Sequence, residues 1–403
     1  MTMSSNDLHC IERLRRVWFR ALLCVLVLSG CGGGVDSGGT GARAASARGP
    51  VTGFGSVIVN GVHFDDSSAR ITDTDGRVHS RDELKLGMTT SIRGSALVVN
   101  STGTRSTATS IVIGSAILGP VDNIDTLAKT LIVLGQTVNV TPTTVFDSSL
   151  NGGLAALFID DVVEVYALFD ALKKRYSATR IERKTSVSAY RLRGLVSNLD
   201  TAAKAFNIGS ERISYAGVPA SDVPAALANG RFVWVQLQLP TAPGGGVWLA
   251  DRLQDGVHQI EDRDEARVEG LISDFTSSTQ FSVDGVSVDA SQASVTGNTT
   301  LGLGIRVEVE GTASNGVLVA REVQTKSETD VESEGFELDG AISTIDTANK
   351  TFVLRDLTVD YSGGVEFRDG TISDLAVGKH VEVRGTLSAD STGLQAIRIR
   401  FTL

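Results

Sequence analysis

The stretch Val381-Glu382-Val383-Arg384-Gly385 and its relatives constrain this chain more than any other feature. It recurs as Val307-Glu308-Val309-Glu310-Gly311 and, more loosely, as Val163-Glu164-Val165-Tyr166-Ala167. Val233-Trp234-Val235-Gln236-Leu237 and Thr90-Ser91-Ile92-Arg93-Gly94 are weaker copies. Each alternates apolar and polar residues, the pattern of a strand with one buried face. After each copy comes an alanine with an aliphatic residue three positions on: Ala108 and Ile111, Ala178 and Ile181, Ala250 and Leu253, Ala320 and Val323, Ala396 and Ile399. One small β unit is therefore written about five times.

A second marker fixes the period. Gly119, Gly194 and Gly340 are each followed six residues later by an Asp-Thr-x-x-Lys turn: Asp125 to Lys129, Asp200 to Lys204, Asp346 to Lys350. Gly270 stands in the same place with a different turn after it. The glycines are spaced 75, 76 and 70 residues apart, the size of a small domain rather than of a solenoid turn. The turn itself reads as structural. A short side-chain acceptor at the head of a hairpin loop bonds the amides that the turn leaves unpaired.

Each unit then reads as five strands, with a less regular segment between the third and fourth that often contains Leu and then Gly. Examples are Leu84-Lys85-Leu86-Gly87, Leu227-Ala228-Asn229-Gly230 and Leu375-Ala376-Val377-Gly378. One helical turn ending at the glycine suits that segment. The expected fold class is all-β: about five tandem five-stranded OB-like barrels, closed so that no strand edge is left exposed. The expected repeats are residues 51–117, 118–187, 188–260, 266–326 and 335–403. The acidic stretches Glu261 to Glu265 and Ser327 to Glu334 read as solvated linkers. Units of this size hold only a marginal core alone, so packing between neighbours is expected.

The N-terminus reads as an address. Arg13, Arg15, Arg16 and Arg20 precede the apolar run Ala21 to Leu28, which is too short to span a bilayer. It ends in Leu28-Ser29-Gly30-Cys31, which resembles the bacterial lipobox. The resemblance implies a signal peptide over residues 1–30 and a mature chain lipidated at Cys31. Two acyl chains then hold it to a membrane almost permanently. Gly32 in place of aspartate implies an outer-membrane lipoprotein facing the periplasm or the surface. Residues 31–50, rich in Gly, Ser and Ala, read as a flexible tether.

The chain's net charge is −10, and removing residues 1–30 brings it to −12. An acidic chain repels nucleic acid, so no nucleic-acid partner is expected. Of three cysteines, Cys10 and Cys24 leave with the signal and Cys31 is acylated. The mature fold has neither a disulfide nor a cysteine metal site.

Together the lipobox, the tether, the opening Gly53-Phe54-Gly55-Ser56-Val57-Ile58-Val59-Asn60-Gly61, the Asp-Thr-x-x-Lys turn and the Val-Glu-Val-x-Gly strand resemble bacterial lipoproteins built of tandem OB-like domains of unknown function, the domain of unknown function 5666 family. The resemblance implies the fold and no activity.

No residue set points to catalysis. There is no Gly-x-Ser-x-Gly elbow, P-loop or dinucleotide fingerprint. Of the histidines outside the signal, His63, His79, His258 and His380, no two stand at metal-ligand spacing. His63 with Asp65 and Asp66 is the nearest approach to a metal set. Asp73 and Asp75 lack the spacing of a calcium loop. No cofactor and no metal are expected. The best ligand-binding candidates are Phe232, Trp234 and Trp248, which could stack on sugar rings or bases, although packing against a neighbouring unit or closing the barrel end is the favoured reading. The expectation is a lipid-anchored cell-envelope protein, not an enzyme, whose barrels act as a binding or spacer module for a protein or glycan. The alternative is an envelope polysaccharide-acting enzyme or its accessory subunit, which needs an Asp and a Glu in one cleft about 5–10 Å apart.

Overall fold

The structure, a computed structural model, describes residues 44–100, 103–240, 246–256, 260–388 and 391–402. Residues 1–30, expected to be a signal peptide, Cys31 and His258 lie outside the described residues. Among these residues no helix is long and apolar enough to cross a membrane.

The Val-x-Val strand and the Ala-x-x-aliphatic strand are neighbours in one antiparallel ladder. The middle residue of the motif pairs with the aliphatic residue: Ile92 with Ile111, Val165 with Ile181, Val235 with Leu253, Val309 with Val323, Val383 with Ile399. Two residues later the last motif position meets the alanine, as Gly94 with Ala108, Ala167 with Ala178, Leu237 with Ala250, Gly311 with Ala320 and Gly385 with Ala396. Two positions on one strand therefore face three on the other. The extra residue (Thr109, Thr179, Asp251, Arg321 or Ile397) is a β-bulge, which bends the strand as barrel closure requires. The three-residue spacing in the sequence is the imprint of that bulge.

Barrel 2 shows the circuit. Its strands are Ile117–Asp125, Thr130–Val133, Gln136–Phe146, Val162–Asp170 and Arg175–Arg183. The first pairs with the second, the second with the third, the third in parallel with the fifth, the fifth with the fourth and the fourth with the first. Barrel 3 repeats the circuit with Tyr190–Asp200, Ala205–Ile208, Glu211–Ser214, Phe232–Leu237 and Trp248–Asp255. Barrel 4 opens with Arg263–Ser277 and closes through Arg306–Ser314 and Val317–Lys326. Barrel 5 opens with Phe336–Ala341 and closes through His380–Leu387 and Leu394–Phe401.

Barrel 1 closes in the same order, and its first strand corrects an expectation. Residues 45–50, read as tether, form the strand Ala45–Pro50, continued by Gly53–Phe54. The small side chains of Ala45 and Ala47 are fully buried, because the strand runs between two others. It pairs antiparallel with Thr89–Gly94 of its own barrel and parallel with the first strand of barrel 4. Two more corrections follow. Barrel 4's first strand starts at Arg263, inside the acidic stretch read as a linker. Ser327 to Glu334 holds the helix Glu328–Glu334, whose start is capped by the Ser327 side chain accepting from the Asp330 amide.

The segment between strands three and four holds a 3-10 turn in barrels 1, 2, 3 and 5, including Arg81–Glu83, Ala220–Asp222 and Ile372–Asp374. In barrels 1, 3 and 5 it ends before the expected glycine. Gly87, Gly230 and Gly378 instead take φ of +78°, +82° and +84° in a separate tight turn that launches strand four.

First strands also join the barrels to one another. Gly53–Phe54 pairs in parallel with the first strand of barrel 5, and the first strands of barrels 2 and 3 pair at Ile117–Leu192 and Leu118–Arg191. Cores merge accordingly. Barrels 1 and 5 share one apolar cluster, which Val145 and Tyr166 of barrel 2 join, barrels 2 and 3 share a second, and barrel 4 keeps its own. Neighbour packing is thus present, but barrel 1 leans on barrels 4 and 5 rather than on barrel 2 alone. Merging cores raises the buried fraction that a 70-residue unit lacks by itself.

Candidate functional site

The Asp-Thr-x-x-Lys residues lie at hairpin heads. Asp125 accepts from the amides of Leu127 and Ala128 at 3.0 and 2.8 Å, Asp200 from that of Ala203 at 2.9 Å, and Asp346 from those of Ala348 and Asn349 at 2.9 and 3.0 Å. Lys129, Lys204 and Lys350 take φ of +53°, +48° and +54°. Their carbonyls accept from Val140, Tyr215 and Tyr361. The motif closes a turn and brings no second reactive group with it.

Phe232, Trp234 and Trp248 do not share a surface. Phe232 packs edge-on against Phe169 of barrel 2, with centroids 5.0 Å apart, and the Arg193 guanidinium covers its ring at 4.6 Å. Trp234 is 5% exposed and pairs across the ladder with Arg193. Its indole nitrogen is buried without a partner among the described residues. Trp248 is half-buried. It donates to Glu211 at 2.7 Å and meets Tyr190 edge-on at 5.8 Å. Phe232 and Trp248 are half-buried, on different partners, and Trp234 is buried.

His63 does not gather Asp65 and Asp66. Asp66 accepts two bonds from Arg81, both at 2.8 Å, Asp65 accepts from the Ser67 amide, and His63 approaches Glu337 instead. Among the described residues no group of three His, Cys, Asp or Glu is placed to hold a metal ion.

Two polar features lie between barrels, and sequence reasoning missed both. The first is a clamp on Asp284, at the head of a barrel 4 hairpin. Its carboxylate accepts from Arg48 of barrel 1 at 2.8 and 3.1 Å and from Arg193 of barrel 3 at 2.9 Å. Arg193 also donates to the Gly256 carbonyl at 3.0 Å, and its own carbonyl accepts from the Tyr176 hydroxyl of barrel 2. Four barrels meet here. Burial, with Arg193 adding to it, lowers the Arg48 guanidinium, and Asp284 opposes that fall. One signal was readable: a charged residue stands directly before the first-strand glycine in Arg48-Gly49, Arg193-Gly194, Glu269-Gly270 and Asp339-Gly340.

The second feature is a cleft of about 990 Å³ where barrels 1, 2, 3 and 5 meet. Leu86, Met88, Phe146 and Tyr166 are buried residues along it. An ion chain crosses it: Arg180 to Glu182 at 2.5 Å, Glu182 to Lys184 at 2.6 Å, Lys184 to Glu164 at 2.9 Å, Glu164 to Arg191 at 2.7 Å, Arg191 to Asp75 at 2.8 Å. Arg180 also donates to the Leu86 carbonyl, tying barrel 2 to barrel 1. Burial alone would raise Glu182, but Arg180 and Lys184 hold it below the usual carboxylate range. Burial works against Lys184 too, yet Glu164 and Glu182 raise it. Burial pushes the Tyr166 hydroxyl well up, and Glu164 and Glu182 add to it.

A lowered folded pKa means that Glu182 stabilises the fold above its unfolded value, near pH 4.3, and loses that contribution as pH falls through the lower folded value. The stability gap between the native chain and Glu182→Gln is therefore expected to be full at pH 7 and to close in acid. Urea unfolding of both chains across pH checks this; a gap that is flat with pH would contradict it.

Fold and seams together define a class: closed OB-like barrels fused through first strands into two sheets, barrels 1, 4 and 5 in one and barrels 2 and 3 in the other. Residues 119–182, 269–324 and 339–400 match the profile of the Domain of unknown function (DUF5666). The matched segments fall in barrels 2, 4 and 5, and the family is the one that the motifs resemble. Barrels 1 and 3 close in the same order outside the matched segments. A comparison with curated proteins finds no match. Among solved structures the chain is similar to Drosophila Unr CSD456, at 13% identity and a TM-score of 0.14, over 53% of this chain and 97% of that one. A likeness of that size carries no argument.

Proposed function

We propose that this chain is a lipid-anchored scaffold of the cell envelope, attached at Cys31, whose fused barrels form a non-enzymatic binding or spacer module. The observation that carries the scaffold reading is the seam of first strands. Ladders join barrel 1 to barrels 4 and 5, and barrel 2 to barrel 3, and the Asp284 clamp ties the two sets together. Such an array holds a fixed shape and presents its faces in fixed relation. Two of the eight carboxylates of the cleft, Glu164 and Glu182, are each committed to two cations, which supports a binding over a catalytic role for this pair. A general acid or base needs a carboxyl free to exchange its proton. The anchor reading is supported by Leu28-Ser29-Gly30-Cys31 behind a short apolar run.

Expression with labelled palmitate in a Gram-negative host tests the anchor. The native chain is expected to take up label and to sediment with the outer-membrane fraction, and Cys31→Ser to do neither. Label on the Cys31→Ser chain would overturn the anchor. Small-angle scattering tests the scaffold: a rigid array gives one well-defined maximum dimension, whereas a beaded chain gives a broad distribution.

A further inference from the structure

We propose that the cleft where barrels 1, 2, 3 and 5 meet binds a short neutral oligosaccharide. The proposal deepens the binding-module reading and rests on it only in taking the array to present a ligand. Size is the first argument. At about 990 Å³ the cleft stands at the upper end of small-ligand sites, with room for several sugar rings.

Charge is the second. Six arginines and two lysines line the cleft against eight Asp and Glu residues. It thus attracts neither a polyanion nor a polycation. The walls are nevertheless dense in hydrogen-bonding groups. A carboxylate offers about four acceptor sites and a guanidinium five donors, and the ion chain from Arg180 to Asp75 uses only part of them. A sugar hydroxyl is both donor and acceptor, so a polyhydroxylated chain satisfies such a wall along its length. Val187, Ala189 and Leu357, half-buried along the cleft, supply apolar surface for the C–H faces of the rings.

The third argument is a group already in place. Tyr166 lines the cleft although it is 3% exposed. Glu164, Glu182, Arg180 and Arg191 line the cleft with it. A ligand hydroxyl that enters there can pair with the Tyr166 hydroxyl, which both donates and accepts.

Titration calorimetry on the full-length protein in detergent tests the proposal. The probes are maltotetraose, cellotetraose and chitotetraose, with tetragalacturonate and tetralysine as charged comparisons. At least one neutral probe is expected to bind. Tyr166→Phe keeps the ring, removes one oxygen and is expected to weaken that binding about tenfold. Arg77→Ala removes an exposed donor at the rim, where folding is not at stake, and is expected to weaken it several-fold. Trp248→Ala is expected to leave it unchanged. Binding of a charged probe alone, binding of no neutral probe, or a loss in Trp248→Ala without one in Tyr166→Phe and Arg77→Ala would overturn the site. None of these results touches palmitate labelling or the scattering profile, so the scaffold reading stands or falls separately.

Discussion

Replacing Asp284 with alanine is expected to lower the stability of the barrel array by about 3–5 kcal/mol. The size follows from what the substitution leaves behind. Arg48 and Arg193 come from barrels whose first strands begin 145 residues apart, and both point their guanidinium groups at this one carboxylate. Their side chains are 18% and 10% exposed, so neither can turn to solvent without moving its strand. Two buried cations then face each other without an anion. An exposed ion pair contributes only about 0–1 kcal/mol, and a loss of that size on urea unfolding would show that the clamp is superficial. A second variant separates charge from packing. Removing all three groups at once, as Asp284→Leu with Arg48→Met and Arg193→Met, is expected to recover most of the loss, since apolar groups of similar volume replace a buried ion set at little cost. Hydrogen exchange adds the location: Asp284→Ala is expected to loosen the first strands of barrels 1, 3 and 4 and to spare barrel 5.

The repeat was legible because it is local. Alternation marks a half-buried strand within five residues, and the Asp of each hairpin head bonds amides two or three positions away. Even the bulge was written in the chain, as the three-residue step from Ala320 to Val323 where regular pairing would need two. The first strand of barrel 1 was hidden by composition. Ala45 to Pro50 has no large apolar side chain, and it is a strand only because barrel 4 lies along one side of it and Thr89–Gly94 along the other. The clamp was hidden for a related reason. Asp284-Gly285 reads as an ordinary tight hairpin turn, which it also is, with φ of +45° and +83°. Nothing local says that two arginines from other barrels converge on it. The cleft is least legible of all, since four barrels build it. Tyr166 occupies the fourth place of the Val-x-Val motif, where barrels 4 and 5 carry Glu310 and Arg384. An aromatic at a place that elsewhere faces solvent was the one available hint.

The glycine of Val-Glu-Val-x-Gly makes the sharpest claim about the shared architecture. At Gly311 an added Cβ would sit 2.0 Å from the Val319 carbonyl oxygen and 2.9 Å from the Ala320 Cα. At Gly385 the corresponding distance to the Gln395 carbonyl oxygen is 2.4 Å. Both obstacles are backbone, so no side chain can rotate away. The cause is the bulge beside them: the extra residue, Arg321 or Ile397, shifts the fifth strand so that a carbonyl lies over the fourth. Gly311→Ala is therefore expected to cost about 2–3 kcal/mol, the scale of overpacking that only a backbone shift relieves. Barrel 2 provides the contrast. Ala167 stands at the same ladder position opposite Ala178, with its Cβ already accommodated. Ala167→Gly is expected to cost only about 0.5–1 kcal/mol, through lost chain stiffness. Urea unfolding ranks the two, and hydrogen exchange localises the first to strands Arg306–Ser314 and Val317–Lys326. Equal costs would mean that the glycine serves no close approach and that the motif records ancestry alone. The expected inequality would mean that barrels 2 and 3, with Ala167 and Leu237 at this place, had to open their bulges wider than barrels 1, 4 and 5. The same two barrels share one core and sit against the cleft, so a wider bulge there is where the array departs from strict repetition.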